Sequence, residues 1–179
     1  MIRNWLLPAI VGLAMAIAAY QGTLLATPYA LMSAAMKKIG AQSPINSFRF
    51  GEPSTADNQP IVRPSPDLSY SSCVFDLSDG PVKVTVDPIP DHYWSLSIFD
   101  ARTDVAAVFS DRDTNSKAAN LALVKNKDDA PPGFEPVVLN YDKGIALIRI
   151  LLKDKSEFDT IDAHRRTATC GKFFGPWQS

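Results

Sequence analysis

The chain has 179 residues, of which 46% are apolar, and its 18 basic and 19 acidic side chains leave a formal charge of −1. That length fits one ordinary core with an appendage and excludes two full domains. The near-neutral balance lacks the excess of cations that holds a protein on phosphates, so no nucleic-acid partner is expected.

The first element is apolar. Between Arg3 and Lys37 there is no charged residue, and Trp5 to Ala26 is long enough to cross about 30 Å of hydrocarbon as a helix rising 1.5 Å per residue. The partner implied by residues 5–26 is therefore membrane lipid. Pro8 falls in the first turns, where a missing amide matters least, and Pro28 falls where a kink or an exit from the lipid is expected. The competing reading is a cleaved secretory signal, with Ala16-Ile17-Ala18 as a small-x-small cleavage site. Apolar character that continues through Leu24, Leu25, Leu31 and Met32 favours an uncleaved anchor. Either way the remainder is exported, and the expected address is a bacterial inner membrane, single-pass, with the globular part in the periplasm. Lys37 and Lys38 after the span outnumber Arg3 before it, which argues against that orientation. Beyond the span, Pro28 to Ile39 reads as a helical extension whose stripe of Leu31, Met32, Ala35 and Met36 lies on the membrane or docks on the domain.

From Ser71 onward the period changes from helical to two. CVFDL, PVKVTVD and HYWSLSIFD place Cys73 and Phe75, then Val82, Val84 and Val86, then Trp94, Leu96 and Ile98 on single faces, as half-buried strands do. SDGP, Ser78 to Pro81, has the chemistry of a tight reversal and predicts a hairpin between the first two. Further runs at Val105 to Phe109, Leu121 to Val124, Pro136 to Leu139 and Gly144 to Leu152 are bounded by polar or proline-rich turns. The fold class expected is therefore mainly β, an antiparallel sandwich or jelly-roll-like domain, with GIALIRILL at its centre. SEFDTIDAHRRTAT predicts a short C-terminal helix capped by Ser156, with Arg165 and Arg166 near its negative end. The domain division is 1–40, anchor and helical extension, and 41–179, β-rich domain.

Cys73 and Cys170 are the two cysteines. An even count in an exported chain favours a bridge, with Cys73 facing inward and Cys170 ending the last helix, although two separate buried thiols are the plain alternative. Two cysteines and two histidines without ligand spacing give no metal site, and no glycine-rich phosphate loop is present, so no cofactor is expected. No GxSxG elbow surrounds a serine, and His92 and His164 read as ordinary strand-edge or surface residues. Asp67, Asp76, Asp100 and Asp104 read first as turn residues. Arg149 stands out, because it interrupts a run of hydrocarbon and a buried guanidinium needs a carboxylate partner, for which Asp67, Asp76 and Asp100 are available.

The block Arg63, Pro64, Asp67, Tyr70 and Ser71, the turn Asp76 to Pro81, and the strand carrying Tyr93 resemble the domain of unknown function numbered 1254. The likeness extends over nearly everything after Asn46. It implies a mainly β module that longer relatives follow with a second module, the domain of unknown function numbered 1214. Here that module does not follow, which implies a short, membrane-anchored subtype whose partner, if it has one, is a separate 1214-type protein. The resemblance brings no reaction and no catalytic residues. The function expected is a binding or assembly module, with Arg63, Asp67, Tyr70, Asp100 and Arg149 as candidate ligand-binding residues. The alternatives are an envelope hydrolase or other small-molecule enzyme using a pocket lined by those residues, and a purely structural envelope protein.

Overall fold

A computed structural model describes residues 2–55, 64–114 and 117–173, the side chains of residues 2–4 excepted. In chain order the elements are α1 (Ile2–Gly40), β1 (Phe48–Phe50), β2 (Leu68–Asp76), β3 (Val82–Val86), β4 (Trp94–Asp100), β5 (Val105–Ser110), β6 (Ala119–Val124), β7 (Glu135–Val138), β8 (Lys143–Leu151), α2 (Phe158–Arg165) and β9 (Thr169–Lys172).

Helix α1 runs unbroken through Pro8 and Pro28. Trp5 is 74% exposed and the large apolar side chains from Leu6 to Leu25 are all exposed as well, as a segment solvated by lipid would be. This helix is long and apolar enough to cross a membrane. Its two threonine hydroxyls turn back on the helix: Thr23 donates to the Ala19 carbonyl at 2.9 Å and Thr27 to the Thr23 carbonyl at 2.7 Å. Polar groups are satisfied this way where no water competes.

The β-domain consists of two sheets, ordered β1-β2-β8-β4-β5 and β7-β6-β3-β9. Their inner faces enclose one core, with Phe75, Leu96, Ile98 and Ile148 from the first sheet against Val82, Val84, Leu121 and Leu123 from the second. β8 is the middle strand of the larger sheet, as its hydrocarbon content predicts. At Gly144 the backbone of β8 passes so close to Phe75 and the Phe99 carbonyl that a β-carbon would collide with both. Only glycine lets the Phe75 ring lie across the central strand there.

The mainly β sandwich with its N-terminal and C-terminal helices is as expected, with one parallel pair added, and three expectations are corrected. SDGP makes no hairpin: β2 and β3 belong to different sheets, so the turn, with Gly80 at φ 121°, carries the chain from one layer to the other. The sandwich is not wholly antiparallel, because β6 and β7 pair in parallel; the proline-rich loop between them returns the chain to the same end before β7 starts. Cys170 does not end the last helix but lies within β9. The cap of the last helical stretch is Asp154, which accepts from the Ser156 amide and forms a reciprocal capping box with Glu157, leading through a 3-10 turn into α2; the Ser156 hydroxyl donates to Asp154 instead of capping.

Cys73 and Cys170 are bonded. The bridge ties the larger sheet to the edge strand of the smaller one, across the core.

Candidate functional site

The outer face of the larger sheet is the surface on which α1 ends. Register places Val74, Ile145 and Phe99 side by side on β2, β8 and β4. Met32 and Ile39, one per two turns of α1, are buried against Val74 and Ile145, with Ala35, Met36 and Phe99 partly buried around them. The apolar stripe expected on the helical extension therefore docks on the domain, except Leu31, which stays exposed. One turn earlier, Tyr29 and Tyr141 share a hydrogen bond of 2.9 Å and an edge-on ring contact, with the Arg102 guanidinium 5.7 Å from the Tyr29 ring. These contacts fix the helix at the end of the sheet where the β4–β5 and β7–β8 turns lie.

Between the helix and the sheet a groove of about 440 Å³ stays open, bounded by Leu31, Ala34 and Lys38 on one side and by Arg49, Phe99 and Leu147 on the other. Its volume is that of an ordinary small-molecule site, and its walls are mostly hydrocarbon. Lys38 and Arg49 supply the positive charge, and among the described residues neither is ion-paired. Arg49 is brought here by β1, where FRF alternates so that Phe48 and Phe50 point into the core and Arg49, opposite Ser72, points outward.

The sequence-based site residues fall elsewhere. Tyr70 and Arg149 are direct cross-strand neighbours on this outer face, one row beyond Leu147. Arg149 donates to the Ser97 hydroxyl at 2.9 Å, and its Nε is buried with no hydrogen-bond partner. The carboxylate expected for Arg149 is thus absent among the described residues: a half-buried guanidinium at the sheet surface reaches a serine of the next strand. The Tyr70 hydroxyl accepts the Ser65 amide at 2.9 Å. Asp100 lies at the opposite end of the sheet, buried, accepting the Arg102 and Asp104 amides at 2.7 and 3.1 Å. Asp67 is exposed at the start of β2, its carbonyl holding the Leu152 amide. Arg63 lies outside the described residues. Tyr70 and Arg149 are brought together; Asp67 and Asp100 are not.

Asp76, His92 and Glu157 are tied into the fold. Burial works to raise the Asp76 carboxyl, but the Ser78 hydroxyl and amide and the Lys143 ammonium hold it below its ordinary range. The His92 imidazole contacts the Pro90 carbonyl at 2.8 Å and Glu157 at 3.1 Å, so both ring nitrogens are occupied, and the hydrogen bond from His92 is the main cause that lowers the Glu157 carboxyl.

Sequence reasoning placed Arg165 at the end of the last helix but missed that it is buried, at 3% exposed. It bonds Asp162, the Tyr70 carbonyl at 2.8 Å and the Gly51 carbonyl at 2.6 Å, with its guanidinium 5.2 Å from the Phe158 ring centre. It missed Arg49 and Lys38 as well. A three-residue strand gives almost no periodic signal, and Lys38 counts in sequence only as a flank of the span.

The profile of the family described as "Protein of unknown function (DUF1254)" matches residues 45–172. Among solved structures the chain is similar to the VPA0106 protein from Vibrio parahaemolyticus, with 15% identity and a TM-score of 0.60 over 85% of this chain and 41% of that one. It is also similar to a putative uncharacterized protein from Burkholderia cenocepacia, with 14% identity and a TM-score of 0.44 over 86% of this chain and 40% of that one. The chain spans about two-fifths of the length of these structures. No curated protein matches it.

Proposed function

The chain belongs to the DUF1254 family, and on that premise we propose that it is a binding or assembly module held at the surface of a bacterial inner membrane by α1, with its β-domain in the periplasm. The observation that carries this reading is the continuity of α1. One helix supplies the apolar span and then, without a linker, the residues Met32 and Ile39 that are buried against Val74 and Ile145. A domain joined in this way stands at a fixed height and angle over the bilayer instead of swinging on a tether. The Cys73–Cys170 bridge supports an oxidising compartment.

A binding role fits the surface better than catalysis. Asp100 is turned into its own loop by two backbone amides, Tyr70 by another, and Arg149 by Ser97, so a carboxylate and an arginine do not face a common cavity there. A separate 1214-type protein is the partner we propose for the assembly. Purification of the full chain from gently solubilised membranes is expected to enrich one such polypeptide in near-stoichiometric amount, and substitution of the exposed β5 residues Val105 and Val108 is the first place to look for its loss. Recovery of a lone monomer would count against the assembly.

A further inference from the structure

We infer that the groove between α1 and the outer sheet face binds a single-chain anionic amphiphile of the fatty-acid type, its hydrocarbon along Leu31, Ala34, Phe99 and Leu147 and its carboxylate between Lys38 and Arg49. The inference deepens the proposed function and rests on its membrane placement.

Three features point to this occupant. The groove is apolar along its length and positive at one region, which is the complement of a fatty acid and not of a neutral lipid or a sugar. Its two cations, which face one another across the groove mouth from α1 and β1, have no carboxylate partner among the described residues. The groove also continues the span. Leu31 is five residues beyond Ala26, about 8 Å along a helix, and Lys38 about 18 Å, so an acyl chain leaving the bilayer beside α1 meets hydrocarbon first and positive charge last. A second transmembrane helix would be the other way to cover such a face. Side chains of a helix would leave Lys38 and Arg49 unanswered unless it carried an acid at that height.

The test uses the full chain in nanodiscs of zwitterionic phosphatidylcholine, with a diazirine-bearing palmitate as photo-crosslinker. Labelling is expected on peptides containing residues 31–42 and 143–151. It should be competed by palmitate and not by methyl palmitate, and reduced at least tenfold by Ala34→Trp, which fills the groove from an exposed position, and by the pair Lys38→Glu and Arg49→Glu. An unchanged thermal unfolding profile of Ala34→Trp confirms that its effect is local. Labelling confined to the span 5–26, or unaffected by both sets of substitutions, overturns the proposal. So does a native preparation in which the groove residues crosslink to a partner's helix instead. A chain that labels as expected yet is not retained by membranes would sink the membrane placement and leave the groove standing, so the two failures are distinguishable.

Discussion

Replacing both Cys73 and Cys170 by alanine is expected to lower the stability of the folded chain by about 4–5 kcal/mol, the value for restricting a loop of roughly 100 residues in the unfolded chain. The bridge spans 97 positions and joins β2 of one sheet to β9 of the other. β9 is an edge strand, held on one side by β3 alone, so without the covalent tie its attachment to the larger sheet rests on side-chain contact. A domain of this size commonly has about 5–15 kcal/mol in all. The urea midpoint of the double variant, compared with the oxidised chain in the same detergent, measures the effect. Chemical reduction of the native chain should move the midpoint in the same direction by a similar amount. A shift worth less than about 1 kcal/mol would mean that the unfolded chain is already restricted without the bridge.

The second large effect is expected at Arg165. Its guanidinium is buried and fully engaged, with Asp162 on its own helix and the carbonyls of Gly51 and Tyr70 on the β1–β2 pair. Arg165→Ala removes the guanidinium donor from both carbonyls, leaving Tyr70 with the Gly51 amide at 2.9 Å, and removes the surface on which Phe50 and Phe158 rest. Breaking a buried pair of this kind costs about 3–5 kcal/mol, and Arg165→Lys is expected to recover little, because one ammonium cannot serve three acceptors set apart in a plane. The effect depends on pH. Burial works to raise the Asp162 carboxyl, but the Arg166 and Arg165 side chains outweigh it and hold the group below its ordinary range. Stability from a depressed carboxyl is present above its unfolded pKa and is lost as the pH falls through the folded one. The gap in denaturation midpoint between the native chain and Arg165→Ala should therefore be full at neutral pH and narrow under acid conditions. A gap that is constant down to strongly acid pH would show that Asp162 takes no part in it.

The sequence announces some of this architecture and hides the rest for physical reasons. Trp5 to Ala26 is unmistakable because lipid demands a long uninterrupted run, and Val82, Val84 and Val86 alternate because one face of β3 meets the core. The disulfide is the favoured of two readings in the sequence, from an even cysteine count in a chain expected to be exported, and the structure shows it formed. The turn at Ser78 to Pro81 misleads because the same residues that reverse a hairpin also let a chain change layers, as they do here after Leu77, which is buried in the core. Arg149 misleads for a related reason. Hydrocarbon on both sides of it suggests burial on both faces, yet the outer face of β8 is covered only where α1 lies on Ile145, and Arg149 sits beyond that cover. The groove itself is not legible, because it exists only once a helix from residues 31–42 and strands separated by up to about a hundred positions are brought to one place. Of the residues singled out from sequence, Tyr70 and Arg149 lie one row beyond its Leu147 wall, and Asp100 follows its Phe99 wall but is turned into the β4–β5 turn.

The proposed function depends on α1 being inserted in lipid with the β-domain on an oxidising side. Fractionation of native cells followed by an alkaline wash, with a thiol-alkylating reagent added before lysis and again after reduction, tests this in one experiment. The account predicts that the full-length chain stays in the washed membrane pellet and that Cys73 and Cys170 accept the reagent only after reduction. A chain recovered in the soluble fraction with both thiols alkylated at the first step would contradict it.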